Sequence, residues 1–242
     1  MNKGIKKEEE FAQYLNGKKY KELNDNLKCF IKFIYKDIDE DGLIKCEKLK
    51  TKDKTDVIIN YNSISKNISL KSGKGVSIHV ESIISFVAFL KNIRINENII
   101  NYYLKYHYGD DSLNGSGKVR FSAEEAKTRY EKEILVFNKY VNHNNIIIKA
   151  VNRFLFDGVT GDNRADYIYY GDINNGIWCS KNEIINYFVK NKSMDLIAPH
   201  FSGLTIQNWC RNIVYNKRME SHREYIQIKW FNIVDDITKI RK

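Results

Sequence analysis

Asp56, Ser69 and Lys71 are the residues whose types and spacing best suit chemistry in this chain. A carboxylate can hold a divalent cation. An ammonium beside it can stabilise developing negative charge or hold a water for attack. Phosphodiester cleavage needs that combination, because its transition state gathers negative charge. A second acid is needed to grip the metal. Glu81, ten residues beyond Lys71, is one source, and the run Glu8-Glu9-Glu10 is another, represented by Glu9. Asp56 and Glu81 are thus the expected metal ligands.

The elements that must position these side chains can be read from hydrophobic pattern. Residues 55–61 are short and β-branched and predict a strand; residues 67–71 predict a second, with a turn over 62–66 between them. Two strands with a short polar connection make a hairpin. Alternation puts Ser69 and Lys71 on one face, opposite Ile68 and Leu70, and strand pairing brings Asp56 alongside Lys71. Residues 72–75 read as a loop. A helical pattern over 79–92 sets Glu81 at a helix start. Residues 8–20 predict a helix with Phe11, Tyr14 and Leu15 on its apolar face. Residues 27–35 fit a helix or a strand.

Further along, residues 96–108 predict a helix, and the polar Gly/Ser/Asp segment 109–118 is the best boundary between domains. Ser122 and Glu125 have capping-box spacing and open a long helix toward Tyr140. Another helix is expected over 146–156 and a capped one over 180–190. Strands are expected at 167–170, 176–179 and 224–230.

In this arrangement the chain resembles the PD-(D/E)XK nuclease superfamily, whose core places an Asp on one strand and (D/E)-x-K on the next. Here that reads Asp56, then Ser69-Leu70-Lys71. Ser69 stands where an acid is usual. Some restriction endonucleases of the superfamily carry S-x-K and recruit a Glu from the following helix, as Glu81 would. Many members also place a Glu on an N-terminal helix. Lys54-Thr55 stands before Asp56 where the family has Pro. The resemblance covers residues 5–92. It implies an α/β restriction-endonuclease-like fold: a mixed β-sheet core flanked by helices, with a C-terminal α+β lobe. It also implies Mg²⁺, with Mn²⁺ able to substitute, and double-stranded DNA as partner. A strand Asp, a strand Lys and a helix Glu are ordinary surface residues singly; their order and spacing carry the reading.

Composition agrees. Forty Lys and Arg against thirty Asp and Glu give a net charge of +10, which points to a polyanionic partner, although an AT-rich genome also encodes a Lys-, Asn- and Ile-rich chain with one proline. Hydrophobic residues make up 43%, enough for a real core, and no apolar run is long enough for a membrane helix. The N-terminus lacks a signal-peptide pattern, so a cytoplasmic protein is expected. Cys29, Cys46, Cys179 and Cys210 form no CxxC pair, which argues for buried free thiols over structural zinc.

The expected layout is a nuclease core over 1–110, with strand 224–230 able to return to it, and a DNA-recognition lobe over 119–242. Lys74, His79, Asn163, Arg164, Gln207, Asn208 and Arg211 are the candidate DNA contacts. His79 suits helix capping or packing equally well. Gln227-Ile228-Lys229 with Asp166 forms a rival Q-x-K site. Gly115-Ser116-Gly117-Lys118 fails as a phosphate loop, because Val119 stands where Ser or Thr should bind magnesium. The most specific expectation is a Type II restriction endonuclease, and cutting both strands would favour a homodimer. A structure-specific repair or recombination nuclease, an RNA-directed nuclease and a non-enzymatic nucleic-acid-binding protein are the alternatives.

Overall fold

A computed structural model describes residues 3–50, 53–73, 75–192, 197–208 and 222–242. The chain forms a mixed α/β fold with two sheets. It divides into two compact units, one of Met1–Gly75, Leu155–Ile184 and Ile233–Lys242, the other of Val76–Phe154 and Ile185–Asn232.

Its elements, in chain order, are α1 (Lys3–Leu15), α2 (Asp25–Tyr35), β1 (Lys45–Lys48), β2 (Val57–Tyr61), β3 (Ile64–Lys71), β4 (Ser77–Ser82), α3 (Ile83–Asn92), α4 (Glu97–Tyr108), α5 (Ala123–Arg129), α6 (Glu131–Val141), α7 (Asn144–Val151), β5 (Tyr167–Gly171), β6 (Gly176–Ser180), α8 (Lys181–Lys190), β7 (His200–Phe201), β8 (Leu204–Asn208), β9 (Tyr225–Lys229) and α9 (Ile233–Arg241). No described helix is long and apolar enough to cross a membrane.

The first unit is built on a five-stranded sheet of order β1-β2-β3-β5-β6. Only the β3–β5 pair is parallel, with Lys71 opposite Tyr170. The β2–β3 hairpin turns at Asn62 and Ser63, both at positive φ (46° and 64°), which matches the twist of a two-residue connection. The turn is therefore tighter than 62–66. Phe11 and Leu15 of α1, with Leu27, Phe30 and Ile31 of α2, share one buried cluster with Val57, Ile59, Ile68 and Tyr169 of the sheet. The ambiguous segment 27–35 is helical because Leu27, Phe30, Ile31 and Ile34 fall on one buried face, and Asn24 caps it by accepting from Leu27 N at 2.9 Å.

A four-stranded antiparallel sheet, β4-β9-β8-β7, underlies the second unit. Its core holds the rings of Phe86, Tyr103, Phe137, Phe154 and Phe201. Residues 79–82 are strand, not helix: His79 and Glu81 are buried in alternation, and β4 pairs with β9. The helix starts at Ile83, with Ser82 Oγ accepting from Ser85 N at 3.1 Å. The helix opened by Ser122 carries its capping box but breaks at Tyr130 into α5 and α6. The helix expected over 146–156 is α7 followed by a π-helical turn, Asn152–Asp157. β1, β7, β8 and α9 were not expected from the sequence.

Segment 109–118 is not a boundary; it lies wholly inside the second unit. The Asp110 carboxylate folds it on itself, accepting from Ser112 N (3.0 Å), Ser112 Oγ (2.7 Å), Gly117 N (3.0 Å) and the Arg223 guanidinium (2.5 Å). Residues 76–110 likewise belong to the second unit rather than to a core over 1–110, and the strand over 224–230 pairs within the second sheet. Of the cysteines, Cys46 and Cys179 are buried free thiols, Cys29 is exposed, and Cys210 lies outside the described residues.

Candidate active site

The hairpin sets Asp56 against β3. Asp56 N donates to Ile68 O at 2.9 Å, which places its side chain across from Ser69. Asp56 Oδ2 then accepts from Leu70 N at 2.7 Å, Ser69 Oγ at 3.3 Å and Lys71 Nζ at 3.4 Å. The other oxygen, Oδ1, accepts from no described residue. Lys71 Nζ also donates to Leu70 O at 3.1 Å, so two of its three protons have partners among the described residues. Ser69 is fully buried, whereas the side chains of Lys71 and Asp56 are 27% and 20% exposed. The pair therefore faces a surface that water and a ligand can reach.

Neighbouring segments hold this corner. Thr55 is buried and donates from N (3.3 Å) and Oγ1 (3.0 Å) to Asn163 O, fixing the approach to Asp56. Tyr170 OH donates to Gly73 O at 2.6 Å, fastening the loop after Lys71.

A second carboxylate comes from α1. Glu8 and Glu9 both reach Lys48 Nζ, at 3.3 and 3.4 Å. Burial pushes the Glu8 carboxyl above its ordinary range and the charge of Asp56 pushes it further, against the pull of Lys48 and Lys71. Glu8 thus feels Asp56 directly, and the two acids repel. Glu9, the residue chosen from the sequence, is the more exposed of the two, and Glu8 stands beside it as a second candidate. Among the described residues no group of three or more His, Cys, Asp or Glu has a metal-binding arrangement. Two hard carboxylates with an open oxygen still fit Mg²⁺, which keeps several waters and commonly takes one or two carboxylates plus phosphate.

Glu81 has a different environment from the expected one. It stands within β4, and Arg153 donates to both of its oxygens, at 3.4 Å (Oε1) and 2.5 Å (Oε2). Ser85 Oγ adds 2.9 Å to Oε2, and His79 Nε2 lies 3.7 Å from Oε1. Burial pushes the Glu81 carboxyl up, but hydrogen bonds from His79 and Arg153 outweigh it and hold the group below its ordinary range. A carboxylate so enclosed has little left for a cation. The residues of the rival pair fall in different sheets. The Asp166 carboxylate accepts from Asn67 N at 2.9 Å in the first sheet, while Gln227 and Lys229 are on β9 of the second.

The candidate DNA contacts separate into three groups. Lys74 and Arg211 lie outside the described residues. Three others have structural partners. His79 is buried with its ring 5.3 Å from Phe154, Asn163 donates to Asp53 Oδ2 at 2.5 Å, and Asn208 donates to His107 O at 2.5 Å. Arg164 is 66% exposed on the loop before β5, where Nε donates to Gly161 O at 3.0 Å and lies 4.0 Å from Asp157 Oδ1, and Gln207 is half-buried on β8. Sequence reasoning missed Lys48. The alternation of Ile44, Cys46 and charged neighbours was the signal for its strand.

No family model matches the chain, and no curated protein matches it. Among solved structures, the fold is similar to that of restriction endonuclease MspI in a crystal structure with its cognate DNA. The match has a TM-score of 0.55 and 10% identity, and covers 92% of this chain and 87% of that one. The chain therefore has a restriction-endonuclease-like fold.

Proposed function

We propose that the chain is a Mg²⁺-dependent DNA endonuclease, a site-specific restriction enzyme of the Type II kind, acting through Asp56, Glu8 and Lys71. The observation that carries this reading is the half-filled Asp56 carboxylate. One oxygen is fixed by Ser69, Leu70 N and Lys71, the other accepts from no described residue, and the charge of Asp56 reaches a second acid, Glu8. Asp56 Oδ1 and Glu8 would hold the ion. Mg²⁺ there would polarise the phosphate and lower the pKa of a bound water.

The rest follows from the protein's own groups. Ser69 and Leu70 N keep Asp56 from rotating. Lys71 keeps one proton for the attacking water or a phosphate oxygen, where negative charge grows. Exposed Arg164 would serve a phosphate contact, and the net charge of +10 favours a polyanion. The likeness to an endonuclease holding DNA supports the fold on which this chemistry rests. Cutting both strands in one encounter calls for two such sites, as a twofold dimer provides.

The test is plasmid DNA with Mg²⁺, beside Asp56→Ala and Lys71→Ala. Wild type is expected to give discrete fragments. Each variant is expected to lose on the order of 10³-fold in rate or more, while binding DNA normally in Ca²⁺. Either variant cutting at the wild-type rate would remove the site, and preference for branched DNA would move the reading to a repair nuclease.

A further inference from the structure

Lys48 has an arrangement that an ordinary surface lysine lacks. An ammonium has three protons. Here it donates to Ile5 O at 3.0 Å and Glu9 Oε1 at 3.4 Å and forms an ion pair with Glu8 Oε2 at 3.3 Å, all on α1. The side chain is only 17% exposed. Exposed ion pairs hold little in place, because water competes and a long side chain must be immobilised. A half-enclosed ammonium whose partners all belong to one helix is a different case. Its own strand, moreover, is bonded to the backbone that carries Asp56. Lys48 lies opposite Val57 in the β1–β2 register, and Leu49 N donates to Asp56 O at 3.0 Å. One side chain therefore couples α1 to the segment bearing the first acid.

We infer that Lys48 is a positioning residue of the cation site, seating α1 so that the Glu8 carboxylate is held toward Asp56 in spite of their repulsion. This rests on the nuclease reading above. Without Lys48, repulsion would turn Glu8 to solvent, and the ion would keep one firm carboxylate instead of two. Glu9 is the counterweight: it shares the ammonium while standing further into solvent. Groups that orient a metal ligand from behind typically change affinity by about 10- to 100-fold when removed.

The experiment is Mn²⁺ binding to the whole protein without DNA, read from the free-ion electron paramagnetic resonance signal. Asp56→Asn and Glu8→Gln are expected to weaken binding. Lys48→Met is expected to weaken it by about 10- to 100-fold, and Lys48→Arg to stay within a few-fold of wild type. The Glu8→Gln background supplies the decisive comparison. Acting through Glu8, Lys48→Met should add almost nothing there. A general loosening of the fold would instead weaken both backgrounds equally. Should Lys48→Met not fold, Lys48→Gln, which keeps two donors, gives the same comparison. Wild-type affinity in Lys48→Met, or full additivity with Glu8→Gln, overturns the inference and leaves the nuclease reading standing. Mn²⁺ binding insensitive to both Asp56→Asn and Glu8→Gln removes the site itself, and the inference with it.

Discussion

Two carboxylates in this chain were expected to do the same work, and the structure treats them in opposite ways. Glu81, in the second unit, is 2% exposed in its side chain, with Arg153 on both oxygens and Ser85 on one. Asp56, in the first, has three donors crowded on one oxygen and none among the described residues on the other. Glu81 is answered by a guanidinium, whereas Asp56 has the Lys71 ammonium on one oxygen and a second acid, Glu8, within reach of its charge. Saturation marks a group that holds a fold together. An acid fixed in direction whose second oxygen meets no described donor is what the proposed cation site requires.

The sharpest way to break that contrast is to neutralise Glu81. Glu81→Gln leaves a largely buried Arg153 without its counter-charge, which is expected to cost about 3 kcal/mol of folding stability in denaturant melts. Mn²⁺ affinity should stay at the wild-type value. Because its folded carboxyl is held below the ordinary range, the stability from Glu81 is present above the ordinary Glu pKa and fades as pH falls through the lowered value. The difference between wild type and variant should therefore shrink in acid. A variant that melts like wild type but loses the metal would reverse the roles of the two acids.

The contrast also explains what was legible in the sequence. Asp56 and Lys71 could be brought together because a β-hairpin is local: alternation fixes faces and a two-residue turn fixes register. The Glu81 environment depends on Arg153, seventy-two positions away, and on β9, still further along. No periodicity within residues 77–92 announces those partners. The apolar residues of α3 extended a helical pattern backward over a strand whose burial came from elsewhere. The chain's four passages between units were hidden for the same reason, since each boundary falls where long-range contacts change rather than where composition does. The Gly/Ser/Asp segment 109–118 looked like a linker by composition, yet the Asp110 carboxylate organises it as tightly as any strand end. Both Glu8 and Glu9 reach Lys48, a partner that the pattern of α1 does not announce.

A smaller effect sharpens the Asp56 side. If the open oxygen belongs to a cation, Mg²⁺ should raise stability by mass action, about 2.7 kcal/mol at a concentration 100 times its dissociation constant. Melts in Mg²⁺ against EDTA measure it. Asp56→Asn should abolish the difference, and Glu81→Gln should retain it in full.

The smallest expected effect tests the sign of the charge at Glu8. Its carboxyl is raised by burial first and by Asp56 second. The folded state therefore holds that proton more tightly than the unfolded chain does. Ionised Glu8 then costs stability above its folded pKa, and the cost disappears below the ordinary carboxylate range. In EDTA at pH 8, Glu8→Gln should thus melt slightly above wild type, by less than about 1 kcal/mol, because the group is partly exposed and solvent screens it. The gap should close toward pH 4. In saturating Mg²⁺ the order should invert, since wild type alone keeps the second ligand. A Gln variant that melts below wild type in EDTA at pH 8 would mean that Lys48 already satisfies Glu8 as Arg153 satisfies Glu81. The two acids would then belong to one structural class, and the distinction between a filled and an unfilled carboxylate would rest on Asp56 alone.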